Sequence, residues 1–82
     1  MARLLITGGT GSFGKTAVKR FLDDKMFSEI IIFSRDESKQ HDMRYEFNHP
    51  KLTFVVGDIR DKESILKATK GVDYIFHAAA LK

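Results

Sequence analysis

The stretch Thr7-Gly8-Gly9-Thr10-Gly11-Ser12-Phe13-Gly14 constrains this chain more than any other, because half of its positions carry no side chain. It follows the short apolar run Leu4-Leu5-Ile6, and it precedes Phe13, Ala17, Val18, Phe21 and Leu22, apolar residues at helical spacing. Glycines permit a tight turn and let the backbone approach a pyrophosphate, while the unpaired N–H groups and positive dipole end of the following helix face the phosphates. Gly9, Gly11 and Gly14 fit G-x-G-x-x-G; Gly8, Gly11 and Gly14 fit G-x-x-G-x-x-G, with Thr7 ending the strand. A bare match is weak evidence, but its place between a strand and a helix favours a dinucleotide phosphate site over a merely structural turn. Ser12 either donates a hydroxyl to a phosphate or caps the helix.

The chain has 82 residues, enough for one small domain that buries roughly 60–65% of its unfolded surface. Hydrophobic residues make up 43% and charged residues 30%, values of a globular rather than a disordered chain. No apolar run approaches the ~20 residues needed to span a bilayer, and Met1-Ala2-Arg3 leads straight into a strand without a signal-peptide h-region, so a cytoplasmic location is expected. There are no cysteines, and His41, His49 and His77 have no metal-ligand spacing, so no metal site is expected. The net charge of +3 is spread through mixed-sign segments such as Arg35-Asp36-Glu37-Ser38-Lys39. A nucleic-acid surface would need a clustered basic stripe with aromatics to stack on, and neither is present.

Residues 3–7 are expected to form the first strand, apolar at consecutive positions as in a parallel sheet covered on both faces. A helix is expected from about Phe13 to Asp24, with Lys15, Lys19, Arg20 and Asp23 largely on its other face. Ser28-Glu29 lead into the second strand, the β-branched run Ile30-Ile31-Ile32-Phe33. An acidic residue about 20 positions beyond the glycines would bind the adenosine ribose of NAD. Here Ser34 and Arg35 stand there, and a hydroxyl beside a guanidinium suits the 2′-phosphate of NADP, so NADP is expected over NAD. The alternative pairs Arg35 with Asp36 or Glu37 at the surface and gives the ribose to Asp36. Lys39, one turn on, either joins the phosphate or is an ordinary solvated lysine.

Asp36 to Phe47 reads as a lightly packed helix with Met43 and Phe47 among its few apolar positions, stopped at His49-Pro50. His41 and His49 read as exposed. Leu52-Thr53-Phe54-Val55-Val56 is the expected third strand, with Gly57-Asp58-Ile59-Arg60-Asp61 at its carboxyl end, where ligands of open α/β sheets bind. Asp58 would take the adenine amine and Ile59 cover the ring, or the segment is only a turn; Asp61 is read as the cap of the next helix. That helix, about Lys62 to Lys70, shows Ile65, Leu66 and Ala68 and ends at Gly71. Val72 to Phe76 is the fourth strand, followed by His77, a packed and hydrogen-bonded residue by this reading, and by Ala78-Ala79-Ala80, small enough for the nicotinamide half of a cofactor to pass.

The glycine stretch, Ser34-Arg35-Asp36-Glu37-Ser38-Lys39-Gln40, Gly57-Asp58-Ile59-Arg60-Asp61 and His77-Ala78-Ala79-Ala80-Leu81-Lys82 together closely resemble the opening of the extended short-chain dehydrogenase/reductase superfamily, and within it the UDP-N-acetylglucosamine 4,6-dehydratases of bacterial polysaccharide biosynthesis. The resemblance implies an α/β, Rossmann-type doubly wound parallel sheet, here partial, with four strands in the order 3-2-1-4 and three helices. It implies cofactor contacts from Gly8, Thr10, Gly11, Ser12, Phe13 and Gly14 at the pyrophosphate, from Ser34, Arg35, Asp36, Glu37, Ser38 and Lys39 at the adenosine 2′-phosphate, and from Asp58 and Ile59 at the adenine. Ala78 would line the cofactor, and Lys82 would reach both cofactor and sugar nucleotide. Family members use bound NADP to take a hydride from sugar C4, eliminate water across C5 and C6, and return the hydride to C6; some also invert C5. A UDP-sugar substrate and a homo-oligomeric parent are implied as well.

The superfamily's Tyr-x-x-x-Lys pair is not matched, since Tyr45 is followed four residues later by His49 and Tyr74 by Ala78, so no catalytic residue is expected within these residues. Residues 1–82 therefore read as the N-terminal part of an NADP-binding domain whose later strands and substrate domain lie elsewhere, leaving a sheet edge where the next strand belongs. The alternatives are a UDP-hexose 4-epimerase and a non-catalytic NADP-binding module.

Overall fold

A computed structural model describes residues 2–8 and 12–78, the side chains of Ser12 and Phe13 excepted. Four strands and three helices alternate: β1 (Ala2–Thr7), α1 (Ser12–Leu22), β2 (Phe27–Ser34), α2 (Glu37–Phe47), β3 (Leu52–Val56), α3 (Lys62–Thr69) and β4 (Tyr74–His77). The strands form one parallel sheet in the order β3-β2-β1-β4, an α/β Rossmann-like partial fold. β1 and β2 are central, and Leu5, Ile6, Ile30, Ile32 and Phe33 are fully buried.

Alternation along the strands divides the core into two layers. Leu4, Ile6, Ile30 and Ile32 face α1 and α2, where Val18 and Met43 complete a buried cluster with Phe21, Leu22, Phe54 and Phe76 packed around it. Leu5, Ile31 and Phe33 face α3, where Ala68 and Ile65 close the second layer. Consecutive apolar residues in β1 and β2 are required because both faces are covered. No helix among the described residues is long and apolar enough to cross a membrane.

Several boundaries differ from expectation. β2 begins at Phe27 rather than Ile30, because Phe27 is a core residue and Glu29 pairs with β1 through Arg3. α1 ends at Leu22, two residues early, where Asp24 turns the chain and its carboxylate accepts from the Met26 N–H at 2.9 Å. β4 runs from Tyr74 to His77 instead of Val72 to Phe76, since Val72 packs in the α3 layer and Asp73 bonds back to Arg3. Leu66 faces solvent although its neighbours Ile65 and Ala68 are packed. His49 is half-buried, its Nδ1 accepting from the Lys51 N–H at 3.2 Å, whereas His41 is exposed as expected. α2 packs more firmly than its sparse apolar pattern suggests: Met43 is fully buried and Gln40 nearly so. β4 lies at a sheet edge, with Tyr74 and Ile75 about half exposed.

The amino end of the sheet is held by polar side chains. Arg3 Nε donates to Glu29 Oε1 at 2.6 Å, Thr53 Oγ1 donates to Glu29 Oε2 at 2.7 Å, and the Asp73 carboxylate accepts from the Arg3 N–H at 2.9 Å. The Thr53 hydroxyl first, and then Arg3, hold the Glu29 carboxyl below its ordinary range. α3 ends at Thr69 with Lys70 as its C-cap, and Gly71 follows with φ +77°, which favours glycine.

Gly57 has a different constraint. A Cβ there would lie 2.7 Å from Cε2 and Cζ of the fully buried Phe33 ring and 3.3 Å from Ser64 Cβ. The loop leaving β3 thus passes against an aromatic ring that cannot retreat. Gly57→Ala should lower stability by about 1–3 kcal/mol through overpacking, less than the roughly 2–5 kcal/mol expected for Ile6→Ala. Urea midpoints of the two variants check the ranking, and an unshifted midpoint for Gly57→Ala would contradict this packing.

Candidate functional site

The carboxyl ends of the four strands are in register. Thr7 of β1 pairs with Phe33 of β2 and His77 of β4, and Phe33 pairs with Val55 of β3. One row of backbone therefore crosses the sheet, and the residues just beyond it, Gly8, Ser34, Arg35, Gly57, Asp58 and Ala78, meet along the same edge. The strand order reverses at β1, which lies between β2 and β4, and open α/β sheets bind ligands outside the carboxyl ends at such a switch point.

Gly8 leaves β1 with φ +69°, in the left-handed region, and its N–H donates to the Phe33 carbonyl at 2.9 Å. A side chain here would be strained, which explains the first glycine of the turn. Gly14 is buried in α1, allowing the helix to lie close to the sheet. Thr10, Gly11 and Lys82 lie outside the described residues, as do the side chains of Ser12 and Phe13, although α1 itself begins at Ser12. The backbone order of strand, turn and helix N-terminus is present.

Ser34 closes β2 and is buried, with its carbonyl accepting from the Gly57 N–H at 2.9 Å. Arg35 follows with its side chain two-thirds exposed. It does not pair with Asp36 or Glu37: its Nη1 lies 3.9 Å from Asp58 Oδ2, across the gap between β2 and β3. Asp36 caps α2, its Oδ1 accepting from the Lys39 N–H at 2.9 Å. Glu37, Ser38 and Lys39 form an exposed first turn. Asp61 caps α3 in the same way, accepting from the Glu63 N–H at 3.0 Å, as its position suggested.

Asp58 is the most strongly perturbed carboxylate of the described residues. Arg60 grips both of its oxygens, Nη2 to Oδ2 at 2.9 Å and Nε to Oδ1 at 3.2 Å, while the Arg60 N–H donates to Oδ1 at 2.9 Å. Those Arg60 hydrogen bonds, with smaller help from the charges of Arg60 and Arg35, pull the Asp58 carboxyl down to about 2. The group is ionised at neutral pH and acts only as an acceptor. Ile59 beside it is half exposed, and Ala78 is half-buried against the core. His77 Nδ1 lies 3.0 Å from Thr7 Oγ1, so it is hydrogen-bonded as expected, but it is exposed rather than packed.

Two contributors lie within the quoted stretches but were given no role by them. Gln40 sends a buried amide into the junction of β2 and β3, and Arg60 governs Asp58. Neither has a sequence signal of its own; a glutamine at a buried helix position becomes visible only once α2 is seated on the sheet.

Residues 4–82, which carry these strand ends, match the model of a family described as polysaccharide biosynthesis protein. The chain belongs to the polysaccharide biosynthesis protein family. It is 61% identical, over 96% of its length, to a protein of Rickettsia bellii (strain RML369-C) named UDP-glucose 4-epimerase, and 58% identical over the same share to one of that name from Rickettsia felis. It spans about a quarter of the length of these curated relatives, 24% in both cases. Among solved structures it is similar to Pen from Bacillus thuringiensis, with a TM-score of 0.91 and 35% identity over 99% of this chain and 25% of that one. A dTDP-glucose 4,6-dehydratase from Bacillus anthracis, solved in complex with NAD, is also similar, with a TM-score of 0.79 and 26% identity over 95% of this chain and 26% of that one. These relatives place the family fold within the extended short-chain dehydrogenase/reductase superfamily.

The Asp58 geometry gives a titration test. A folded-state value near 2 against an ordinary 3.8 means that Asp58 favours the folded state above about pH 4 and loses that contribution as pH falls through about 2. Carbon-13 NMR of the side-chain carboxyls should find a midpoint near 2, and Arg60→Ala should move it upward toward 3.8. A midpoint already at 3.8 in the unaltered protein would mean that Arg60 does not hold Asp58 in solution.

Proposed function

We propose that this chain is the cofactor-binding portion of an NADP-dependent enzyme that acts at C4 of a UDP-sugar, with the remainder of the nucleotide-binding domain and the substrate domain supplied by further chain. The observation that carries this reading is the convergence of Gly8, the N-terminus of α1, Arg35 and Asp58 at one edge of a 3-2-1-4 parallel sheet. The residues present fit a dinucleotide: a backbone turn that rejects side chains for the pyrophosphate, an exposed guanidinium for a 2′-phosphate, and an ionised acceptor for the adenine amine. Thr10, Gly11, Ser12, Phe13 and Gly14 would surround the pyrophosphate, Ser34 to Lys39 the phosphorylated ribose, and Ile59 one face of the adenine. Ala78 would line the path of the nicotinamide, and Lys82 would bridge cofactor and sugar nucleotide.

A bound nicotinamide supplies a reversible hydride acceptor beside the sugar C4. Return of the hydride to C6 after loss of water gives a UDP-N-acetylglucosamine 4,6-dehydratase, the outcome supported by the sequence resemblance. Return to C4 gives a UDP-hexose 4-epimerase, and the names of the Rickettsia relatives favour that second reading. Both use the same cofactor cradle, and both belong to a soluble enzyme working on cytoplasmic sugar nucleotides.

Mass spectrometry of UDP-N-acetylglucosamine after incubation with the full-length protein distinguishes them. Loss of one water is the dehydratase result; a new isomer of unchanged mass, resolved by chromatography, is the epimerase result; recovery of every UDP-hexose and UDP-N-acetylhexosamine unaltered would reject both. For the cofactor, Arg35→Ala should weaken NADP binding by about 10-fold or more while changing NAD binding little, because it removes a charge-assisted bond to the 2′-phosphate. An unchanged NADP-to-NAD ratio would reject that role.

A further inference from the structure

We propose that Gln40 is a positioning residue for the adenosine end of the cofactor: its buried amide fixes Ser34 as a hydroxyl donor beside Arg35 and holds the carboxyl ends of β2 and β3 together. The proposal rests on the dinucleotide reading above and gives Gln40 a task that the family resemblance does not assign to it.

Gln40 is 3% exposed, in a helix whose only other buried residue is Met43. Burying an amide is costly unless its hydrogen bonds are made, and an apolar residue would fill the same space without that cost. The amide nitrogen makes short contacts with the Val55 carbonyl at 2.9 Å and Ser34 Oγ at 3.0 Å, and a longer one with the Ser34 carbonyl at 3.4 Å. The two short contacts take the two amide hydrogens, one to the Val55 carbonyl and one to Ser34 Oγ, while the Ser34 carbonyl accepts from the Gly57 N–H at 2.9 Å.

This arrangement fixes the direction of a proton. A carbonyl can only accept, so Val55 requires the nitrogen of Gln40, not its oxygen, at this end of the amide. The same nitrogen then makes Ser34 Oγ an acceptor. The Ser34 hydroxyl proton must point away from Gln40, and no acceptor for it is found among the described residues. Ser34 is the last residue of β2, at the carboxyl edge of the sheet, and the next residue is Arg35. An oriented O–H and a guanidinium on adjacent residues form a donor pair for a phosphate oxygen. The Val55 bond keeps β3, and with it the loop bearing Asp58, at a set distance from that pair.

A tie that only stabilised the fold would treat NADP and NAD alike. The test therefore measures dissociation constants for both cofactors, with melting temperatures, in the full-length protein and in Gln40→Met, Ser34→Ala and the double variant. Gln40→Met should weaken NADP about 10-fold and NAD less than about 3-fold, as expected for a misdirected bond to a charged group. Ser34→Ala should shift the ratio in the same sense, and the double variant should bind NADP no worse than the weaker single variant, because both changes remove one interaction. An unchanged ratio in Gln40→Met, whatever its melting temperature, overturns the proposal. Should that variant not fold, Ser34→Ala keeps the bond from the Gln40 amide to the Val55 carbonyl, and an unchanged ratio there overturns it equally. Failure of the underlying reading looks different: the unaltered protein would then bind neither cofactor, or would prefer NAD.

Discussion

Burial of β1 and β2 on both faces governs the rest of this structure. A strand with covered faces must be apolar at consecutive positions, and it can present polar or flexible residues only where it leaves the sheet. Leu4, Leu5 and Ile6, like Ile30 to Phe33, obey the first requirement. Gly8, Ser34 and Arg35 follow from the second. Because the strands are parallel and in register from Thr7 through Phe33 to Val55 and His77, their exits fall along one edge. The residues proposed to meet the cofactor are gathered by that alignment although they are scattered along the chain.

The two ends of the sheet use polar chemistry differently. At the amino end Arg3, Glu29 and Thr53 of three strands and Asp73, just before the fourth, are joined by hydrogen bonds. At the carboxyl end Asp36 and Asp61 cap helices, but Arg35, the Ser34 hydroxyl proton and the remaining lone pairs of Asp58 stay available. Arg60 neutralises Asp58 locally without burying it, so the carboxylate is oriented yet reachable, a third of its side chain being exposed. An exposed pair of this kind contributes little to stability. Its consequence lies in which proton donors the site can accept.

Much of this was legible in the sequence because the signals are local. The glycine turn, the β-branched run at Ile30 to Phe33 and the capping role of Asp61 each depend on neighbours within a few residues, and the strand order followed from resemblance to a superfamily with that order. What stayed hidden depends on contacts across the sheet. Phe27 is a strand residue because it meets β1, and Gly57 is required because Phe33 lies beneath it. Arg35 pairs with Asp58, 23 positions away, rather than with the acids beside it, of which Asp36 caps α2. Gln40 had no pattern to betray it, since one polar residue in a polar helix carries no information until its face is known.

The central claim is that a dinucleotide lies along this edge with its pyrophosphate at the N-terminus of α1 and its adenosine between the ends of β2 and β3. A crystal structure of the full-length protein with NADP bound tests it most directly. The 2′-phosphate is expected within hydrogen-bonding distance of both Arg35 and Ser34 Oγ, and the adenine amine against the Asp58 carboxylate. A nucleotide whose adenosine lies elsewhere, with Arg35 still turned to Asp58, would contradict it.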